Sequence, residues 1–129
     1  MIHILDTCVC IDVIRGRISD AAYHFRGLDF GISSITLAEL EYGVYRSSNP
    51  QKNEMALRHF CTGVIVYPFD AFAASTYGKI RNGLEAIGTP IGPLDTLIAD
   101  HTLALNGTLI TNNVNEFQRV PGLQIRRFP

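Results

Sequence analysis

The chain has 129 residues, 47% of them hydrophobic, and a formal net charge of −1. This length favours one domain over residues 1–129, and the apolar content excludes a disordered segment. No apolar run reaches the roughly 18 residues of a membrane span, and the near-neutral charge excludes a uniformly basic nucleic-acid binder. A local patch of positive charge or a bound cation could still meet phosphates.

The N-terminal quarter alternates strand-like and helix-like patterns. Residues 2–5 form a short β-branched apolar run that favours a buried parallel strand, and without a basic segment before it we expect no signal peptide. Apolar residues at helical spacing predict a helix over 9–15, and Ser19 can cap a second helix that reaches about residue 26. A second short strand is predicted over residues 30–33.

Capping residues predict where the next helices begin. Ser34 or Thr36 can cap a helix that reaches residue 45, and Asn49, followed by proline, begins a helix over 50–60. A third strand over 64–67 follows that helix.

The C-terminal half continues the alternation. Asp70 can cap a long helix that ends near Ala86, and the glycines and prolines of residues 88–93 mark a loop. An apolar helix is predicted over 95–105, ahead of a fourth strand. The remaining predictions are a strand at 108–111, a turn or short helix at 113–117 and a weak strand at 123–127. Because strands alternate with helices, the fold class is α/β with a parallel sheet.

Cysteine and arginine usage bear on compartment and substrate. The three cysteines, Cys8, Cys10 and Cys61, are odd in number and lack metal-ligand spacing, so we expect reduced, partly buried thiols in a cytoplasmic protein. Nine of the eleven basic residues are arginine, which is the better bidentate partner for phosphate.

Four oxygen-bearing side chains from distant parts of the chain are expected at one edge of the sheet. Asp6 directly follows the first strand, and Asn113 follows the fourth. Glu39 lies early in the helix after the second strand, and Asp95 opens the helix before the fourth. Because sites in open α/β sheets form beyond the carboxyl ends of the strands, these side chains should converge.

Such a cluster predicts a divalent cation. Carboxylates held close together repel one another unless a cation neutralises them, and hard oxygen ligands suit Mg²⁺ or Mn²⁺. The ion would lower the pKa of a water molecule and offset charge on a phosphate. Each residue also has a structural alternative. Asp6 and Asp95 could be helix caps, while Glu39 could be a solvated helix residue and Asn113 a turn residue.

The segments around these positions resemble the motifs of the PIN-domain family, and of its VapC toxins in particular. The resemblance is carried by ILDT at 4–7, SSITLAELEYG at 33–43, IGPLDTLIA at 91–99 and LITNNVNEF at 109–117. The sequence RVPGL at 119–123 is also typical of VapC chains. The four motifs occur in the family's order and at its usual separation.

The resemblance implies a PIN-like three-layer α/β/α fold with a short, mostly parallel sheet of four to five strands. It implies a Mg²⁺- or Mn²⁺-dependent endoribonuclease, the toxin of a type II toxin–antitoxin pair, which cleaves RNA by metal-activated water. Transfer RNA is among the family's substrates. The implied partners are a VapB-like antitoxin, whose tail enters the active-site groove, and a second copy of the chain.

The resemblance also implies roles for the clustered residues. Asp6 and Asp95 would bind the metal directly, and Glu39 would bind it through water or act as the base. Asn113 stands where many PIN domains have aspartate, so it would orient a water molecule or complete the metal shell. Glu116 could supply the lost charge.

Further residues are expected to support the site. Thr7 and Thr111 would hold the carboxylates in place, or would simply cap strand ends. Asp100 lies about 140° around its helix from Asp95, so we expect it on the surface or in indirect contact with the site. Phosphates could be contacted by three basic residues, Arg15, Lys79 and Arg81. Bases could stack on Tyr42 or Tyr45, although these rings could instead pack into the core or a dimer interface.

Two alternatives compete with the active nuclease. A receiver-like signalling domain has similar length and collects acids around Mg²⁺, but it needs two adjacent acids after the first strand and a lysine after the last. Here Thr7 follows Asp6, and no lysine follows Lys79. The other alternative is a PIN domain without strong activity that acts as a binding or autoregulatory module with its antitoxin, because Asn113 weakens a hard-metal site.

Overall fold

The strands form one parallel sheet in the computed structural model, which describes residues 1–16 and 29–128. They are β1 (Ile2–Leu5), β2 (Asp29–Ser33), β3 (Ile65–Tyr67), β4 (Thr108–Ile110) and β5 (Gln124–Arg126). Their order is β3-β2-β1-β4-β5, and each neighbouring pair is parallel. The chain therefore builds outward from β1 in both directions. This order places a switch point between β1 and β4, where α/β sheets open a crevice at their carboxyl ends.

Six helices cover the two faces of the sheet in the described part of the chain. They are α1 (Thr7–Ile14), α2 (Ser34–Arg46), α3 (Pro50–Cys61), α4 (Ala71–Ala86), α5 (Pro93–Ala104) and α6 (Val114–Phe117). The predicted three-layer α/β/α class is confirmed. The predicted helix at 19–26 lies outside the described residues.

Alternation along the strands divides the apolar residues into two cores. On β1, Leu5 belongs to a core with Phe30 and Ile32 of β2, and helices α1, α2 and α3 cover that face. Its neighbour Ile4 points to the opposite face, where it joins a core with residues of α4, α5 and α6, such as Ile98. Both faces of β1 are therefore buried, as the continuous apolar run of this strand predicts.

The N-termini of the helices were predicted with mixed success. Asn49 and Asp70 cap α3 and α4 through their side chains, as predicted. The prediction that Ser34 or Thr36 caps α2 is wrong, because the side chain of Ser33 accepts the hydrogen bond from the N–H of Ile35. Strand β2 runs directly into α2, so its last residue is also the cap.

The start of α5 also differs from the prediction, which began this helix at Asp95. Helix α5 begins at Pro93 with Gly92 as its cap residue, and Asp95 lies within the first turn. The helix-cap alternative for Asp95 is therefore wrong. Proline is well suited to the first helical position because it has no N–H to leave unpaired. Within residues 1–16 and 29–128, no helix has the length and hydropathy needed to cross a membrane.

Candidate active site

Asp6 lies at the junction of β1 and α1, beside the end of β4. Its Oδ1 accepts a hydrogen bond of 2.8 Å from the N–H of Val9, so Asp6 also caps α1. Its Oδ2 accepts a short hydrogen bond from the hydroxyl of Thr111, the residue after β4. Asp6 is only 4% exposed. Asp6 therefore caps α1 and also lies at the predicted site, so the two alternatives do not exclude each other.

Glu39 reaches the same edge of the sheet from α2. The hydroxyl of Thr7, at the start of α1, donates to Glu39 Oε1 over 2.7 Å. The hydroxyls of Thr7 and Thr36 lie 3.3 Å apart, and Thr36 precedes Glu39 by nearly one helical turn on the same face. This network joins α1 to α2 and fixes the half-buried carboxylate of Glu39 near Asp6.

Asp95 lies close enough to Glu116 of α6 for the charge of Glu116 to raise its pKa. Oε1 of Glu116 accepts a hydrogen bond of 2.9 Å from the N–H of Gly92, three residues before Asp95. A Cβ atom on Gly92 would lie 3.7 Å from Glu116 Oε1 and 3.9 Å from Asp95 Oδ2. Glu116 therefore stands inside the cluster as a fourth carboxylate.

Asn113 faces Glu116 in this structure. Its Nδ2 donates to Glu116 Oε2 over 2.9 Å, and its own N–H donates to the hydroxyl of Thr111 over 2.9 Å. Asn113 is exposed and makes no side-chain cap to α6. Its amide thus serves as a donor that orients Glu116.

The acids influence one another through space. Burial raises the pKa of Asp95 to about 6, and the neighbouring charge of Glu116 is the second cause. The charges of Asp6 and Glu39 act in the same direction. Burial also raises the pKa of Asp6, against the lowering effect of its hydrogen bond from Thr111. Bringing these four acids together therefore has an electrostatic cost.

A divalent cation fits this set of donors in one particular way. Among the described residues, no three His, Cys, Asp or Glu side chains are arranged to hold one ion directly. Mg²⁺ commonly keeps several waters and takes only one or two carboxylates from the protein. Asp6 and Asp95 would be those two, and Glu39 and Glu116 would add negative charge beside them. The donors are all hard oxygens, which suit Mg²⁺ or Mn²⁺ better than zinc.

Comparison with known proteins decides the family. The PIN-domain family model matches residues 3–123. The chain is 41% identical over 128 residues to the ribonuclease VapC2 of Rickettsia felis, and the match covers 95% of each chain. This chain is a PIN-domain protein of the VapC family. The receiver-like alternative is thereby excluded.

Other members of the family agree in sequence and in fold. The tRNA(fMet)-specific endonuclease VapC of Shigella flexneri is 39% identical over 123 residues, covering 93% of this chain and 92% of that one. The crystal structure of VapBC2 from Rickettsia felis bound to a DNA fragment from their promoter aligns with a TM-score of 0.95 and 36% identity, covering 100% of both chains.

No charge of the acid cluster contributes to the pKa shift of Asp100, which lies on α5. The expectation of a surface position is wrong, because Asp100 is 0% exposed. Neither of its carboxyl oxygens has a hydrogen-bond partner among the described residues, and burial alone raises its pKa to about 7. Asp95 is at the open end of α5, whereas Asp100 is more than one turn into the packed part of the helix.

The basic residues proposed to contact RNA are exposed but differ in position. Arg15 ends α1 and lines a groove that includes Glu39. Lys79 and Arg81 are both on α4, but two residues apart they point to different sides of the helix. Arg81 forms an ion pair of 2.9 Å with Glu85.

The exposure of two tyrosines and of the three cysteines can be compared with the predictions. Tyr42 and Tyr45 are 62% and 75% exposed, so they do not pack into the core, and the dimer-interface and base-stacking alternatives stay predictions. The three cysteines are free thiols, of which Cys10 is buried and Cys61 half-buried. Cys8 is exposed rather than partly buried.

Sequence reasoning left the position of Glu116 open and gave no role to Gly92. The signal for Glu116 was its spacing of three residues from Asn113, which places both side chains on one side of a short helix. The signal for Gly92 was its position directly before Pro93, the first residue of α5, where the N–H of Gly92 is free to bind an anion.

Proposed function

We propose that this VapC-family protein is a Mg²⁺- or Mn²⁺-dependent endoribonuclease and the toxin of a toxin–antitoxin pair. The observation that carries the proposal is the convergence of Asp6, Glu39, Asp95 and Glu116 at one edge of the sheet. They come from four segments of the chain, and three of them influence the pKa of Asp95. The names of the ribonuclease relatives support the same conclusion.

When bound, the cation would lower the pKa of water and offset negative charge on the scissile phosphate. Asp6 and Asp95 would hold it. Glu39 is oriented by the Thr7 hydroxyl and can accept a proton from the attacking water. Thr111 holds the carboxylate of Asp6 in its present orientation.

This division of roles predicts the ends of the RNA products. The nucleophile is water, so cleavage leaves a 5′-phosphate and a 3′-hydroxyl. An enzyme that used the ribose 2′-hydroxyl would instead give a 2′,3′-cyclic phosphate. Because one relative is named for a tRNA(fMet) substrate, we propose a structured RNA such as tRNA as the substrate class.

A groove between α1, α2 and α3 is the site we propose for a VapB-like antitoxin. Apolar residues form most of it, and Arg15 and Glu39 also line it. The apolar lining consists of Ile11, Ile14, Leu40, Val44 and Leu57, with Gly43 between them. An amphipathic helix can bury its apolar face in such a groove. Because the groove includes Glu39, a bound segment would also lie beside the acid cluster.

The decisive experiment measures cleavage of total tRNA by purified protein with Mg²⁺, with Mn²⁺ and with EDTA. We expect cleavage only with a divalent cation, and loss of at least about 100-fold in Asp6→Asn and Asp95→Asn. Glu54→Gln, an exposed substitution on α3, is the matched control and should retain activity. Thermal unfolding checks that each variant folds.

Three results would overturn the proposal. Cleavage that persists in EDTA would remove the role of the cation, and 2′,3′-cyclic phosphate ends would remove the role of water. Absence of cleavage of any RNA by a folded wild type that still binds its antitoxin would favour the binding-module alternative.

A further inference from the structure

We infer that the cavity between α4 and the loop before α5 binds one unpaired purine base of the RNA, next to the scissile phosphate. Glu85 would accept hydrogen bonds from the edge of that base, and guanine fits best. The inference rests on the proposed function, because it names a specificity site for the same reaction. Nothing in the catalytic roles described above uses this cavity.

The cavity has a volume of about 190 Å³ and unlike walls. The loop residues Pro90, Ile91 and Pro93 form an apolar wall. Arg81 and Glu85 of α4 supply the opposite wall, which is charged. Unpaired RNA bases are recognised by this combination, since a base stacks on apolar or guanidinium surfaces and exposes polar edges.

Hydrogen bonds connect this cavity to the carboxylate cluster. Gly92 lies between two residues of the apolar wall, and its N–H donates to Glu116. Arg119 lies two residues after α6, and its Nη1 donates to the carbonyl oxygen of Pro90 over 3.1 Å. The loop is therefore held from two sides by the segment that carries Glu116. A base in the cavity would therefore lie beside the loop residue, Gly92, that binds Glu116 of the cluster.

The charged wall is already oriented for recognition. Nε of Arg81 donates to Glu85 Oε1 over 2.9 Å, and Nη1 donates to the hydroxyl of Tyr77 over 2.5 Å. The Arg81 and Glu85 side chains are 51% and 55% exposed, so a ligand can reach both. Within the described part of the chain, the second oxygen of Glu85 makes no hydrogen bond.

The hydrogen-bonding groups of Glu85 favour guanine among the four bases. Guanine presents two neighbouring N–H groups on its Watson–Crick edge, and one carboxylate can accept both. Adenine and cytosine present a single amino group there, and uracil presents a single N–H. Arg81 can lie against the face of the base or meet the phosphate that follows it.

The first experiment measures binding without any dependence on cleavage. The four 5′-mononucleotides, and inorganic phosphate as the control, are titrated into ¹⁵N-labelled protein without divalent cations, and the amide shifts of Ile91, Gly92 and Thr96 are followed. We expect GMP to shift them at the lowest concentration. Glu85→Gln should weaken GMP binding about tenfold, and Glu54→Gln should not. Equal shifts with phosphate alone, or none with any nucleotide, would overturn the inference.

The second experiment maps cleavage sites in an unstructured RNA pool. We expect guanine enrichment at one fixed position beside the cut, reduced about tenfold in Glu85→Gln and retained, together with the cleavage rate, in Glu54→Gln. An unchanged sequence profile in this variant would overturn the inference. If wild-type protein cleaves no RNA but GMP still shifts the cavity amides, the proposed function fails and the nucleotide site stands.

An antitoxin segment is the competing occupant of the cavity. If Arg81→Ala and Glu85→Gln weaken binding of the VapB-type antitoxin about tenfold and leave GMP binding unchanged, the cavity belongs to the antitoxin and the inference is wrong. We expect the reverse, with antitoxin affinity retained and GMP affinity reduced about tenfold. Retained thermal stability shows that a loss of binding does not reflect unfolding.

Discussion

Asp95 and Glu116 are neighbouring carboxyl groups whose pKa values are shifted in opposite directions. Burial and the charge of Glu116 raise the pKa of Asp95 to about 6. The N–H of Gly92 and then the amide of Asn113 lower the pKa of Glu116. Asp95 therefore keeps its proton to a higher pH than Glu116 does, and this proton must leave before Asp95 can bind a cation.

The affinity for Mn²⁺ should consequently depend on pH. Above pH about 6 Asp95 is ionised and ready to bind, whereas below that value proton and metal compete for it. We expect affinity to fall about tenfold for each pH unit below 6 if one proton is released. Calorimetric titration with Mn²⁺ at pH 5, 6 and 7.5 measures this. An affinity that is equal at pH 5 and 7.5 would contradict the assignment.

Substitutions at Glu116 and Asn113 separate their roles. Glu116→Gln removes one charge from the cluster, so the pKa of Asp95 should fall and Mn²⁺ affinity should drop about tenfold. Asn113→Asp replaces the donor to Glu116 by a second carboxylate, so it should lower activity although many PIN domains carry aspartate there. Single-turnover cleavage and Mn²⁺ titration test both. Higher activity in Asn113→Asp would show that this position is itself a metal ligand.

Thr111 should act by orienting Asp6. The fully buried hydroxyl donates to Asp6 and lowers its pKa. Thr111→Val keeps the shape but removes the donor, so we expect a 10- to 100-fold loss of activity, roughly, and a loss of about 1–2 kcal/mol in stability. Thr111→Ser should restore most of both. If Val and Ser variants are equally inactive, packing rather than the hydroxyl decides the effect.

Much of this site could be predicted because Asp6, Glu39 and Asp95 follow recognisable strand and helix boundaries. The position of Glu116 depends on how the short helix α6 packs against the loop at Gly92, which local periodicity does not specify. The error at Asp100 has a similar cause. A helix packed on several sides can bury an acid that helical geometry alone would place at the surface.

Asp100 should make the protein less stable as pH rises. Its pKa in the folded state is about 7, well above the value of an unfolded aspartate near 3.9. The folded state therefore keeps a proton that the unfolded state releases, and stability falls between pH about 4 and 7 before levelling off. We expect Asp100→Asn to flatten this decline and to gain about 2 kcal/mol at pH 8. Urea unfolding at pH 5 and 8 measures both proteins. Parallel losses in the two proteins would show that other groups cause the decline.

The groove proposed for the antitoxin can be tested at Gly43. A Cβ at this position of α2 would meet nothing within 4 Å, so a longer side chain can be added without a clash. Gly43→Gln should stabilise the helix by about 0.5–1 kcal/mol, since glycine is a poor helix former, while its side chain extends into the groove. We expect antitoxin affinity to fall at least about tenfold and cleavage of free RNA to stay unchanged. Gly78→Gln on α4, where a Cβ also meets nothing within 4 Å, is the matched control. If both variants bind the antitoxin like wild type, the partner docks on another face.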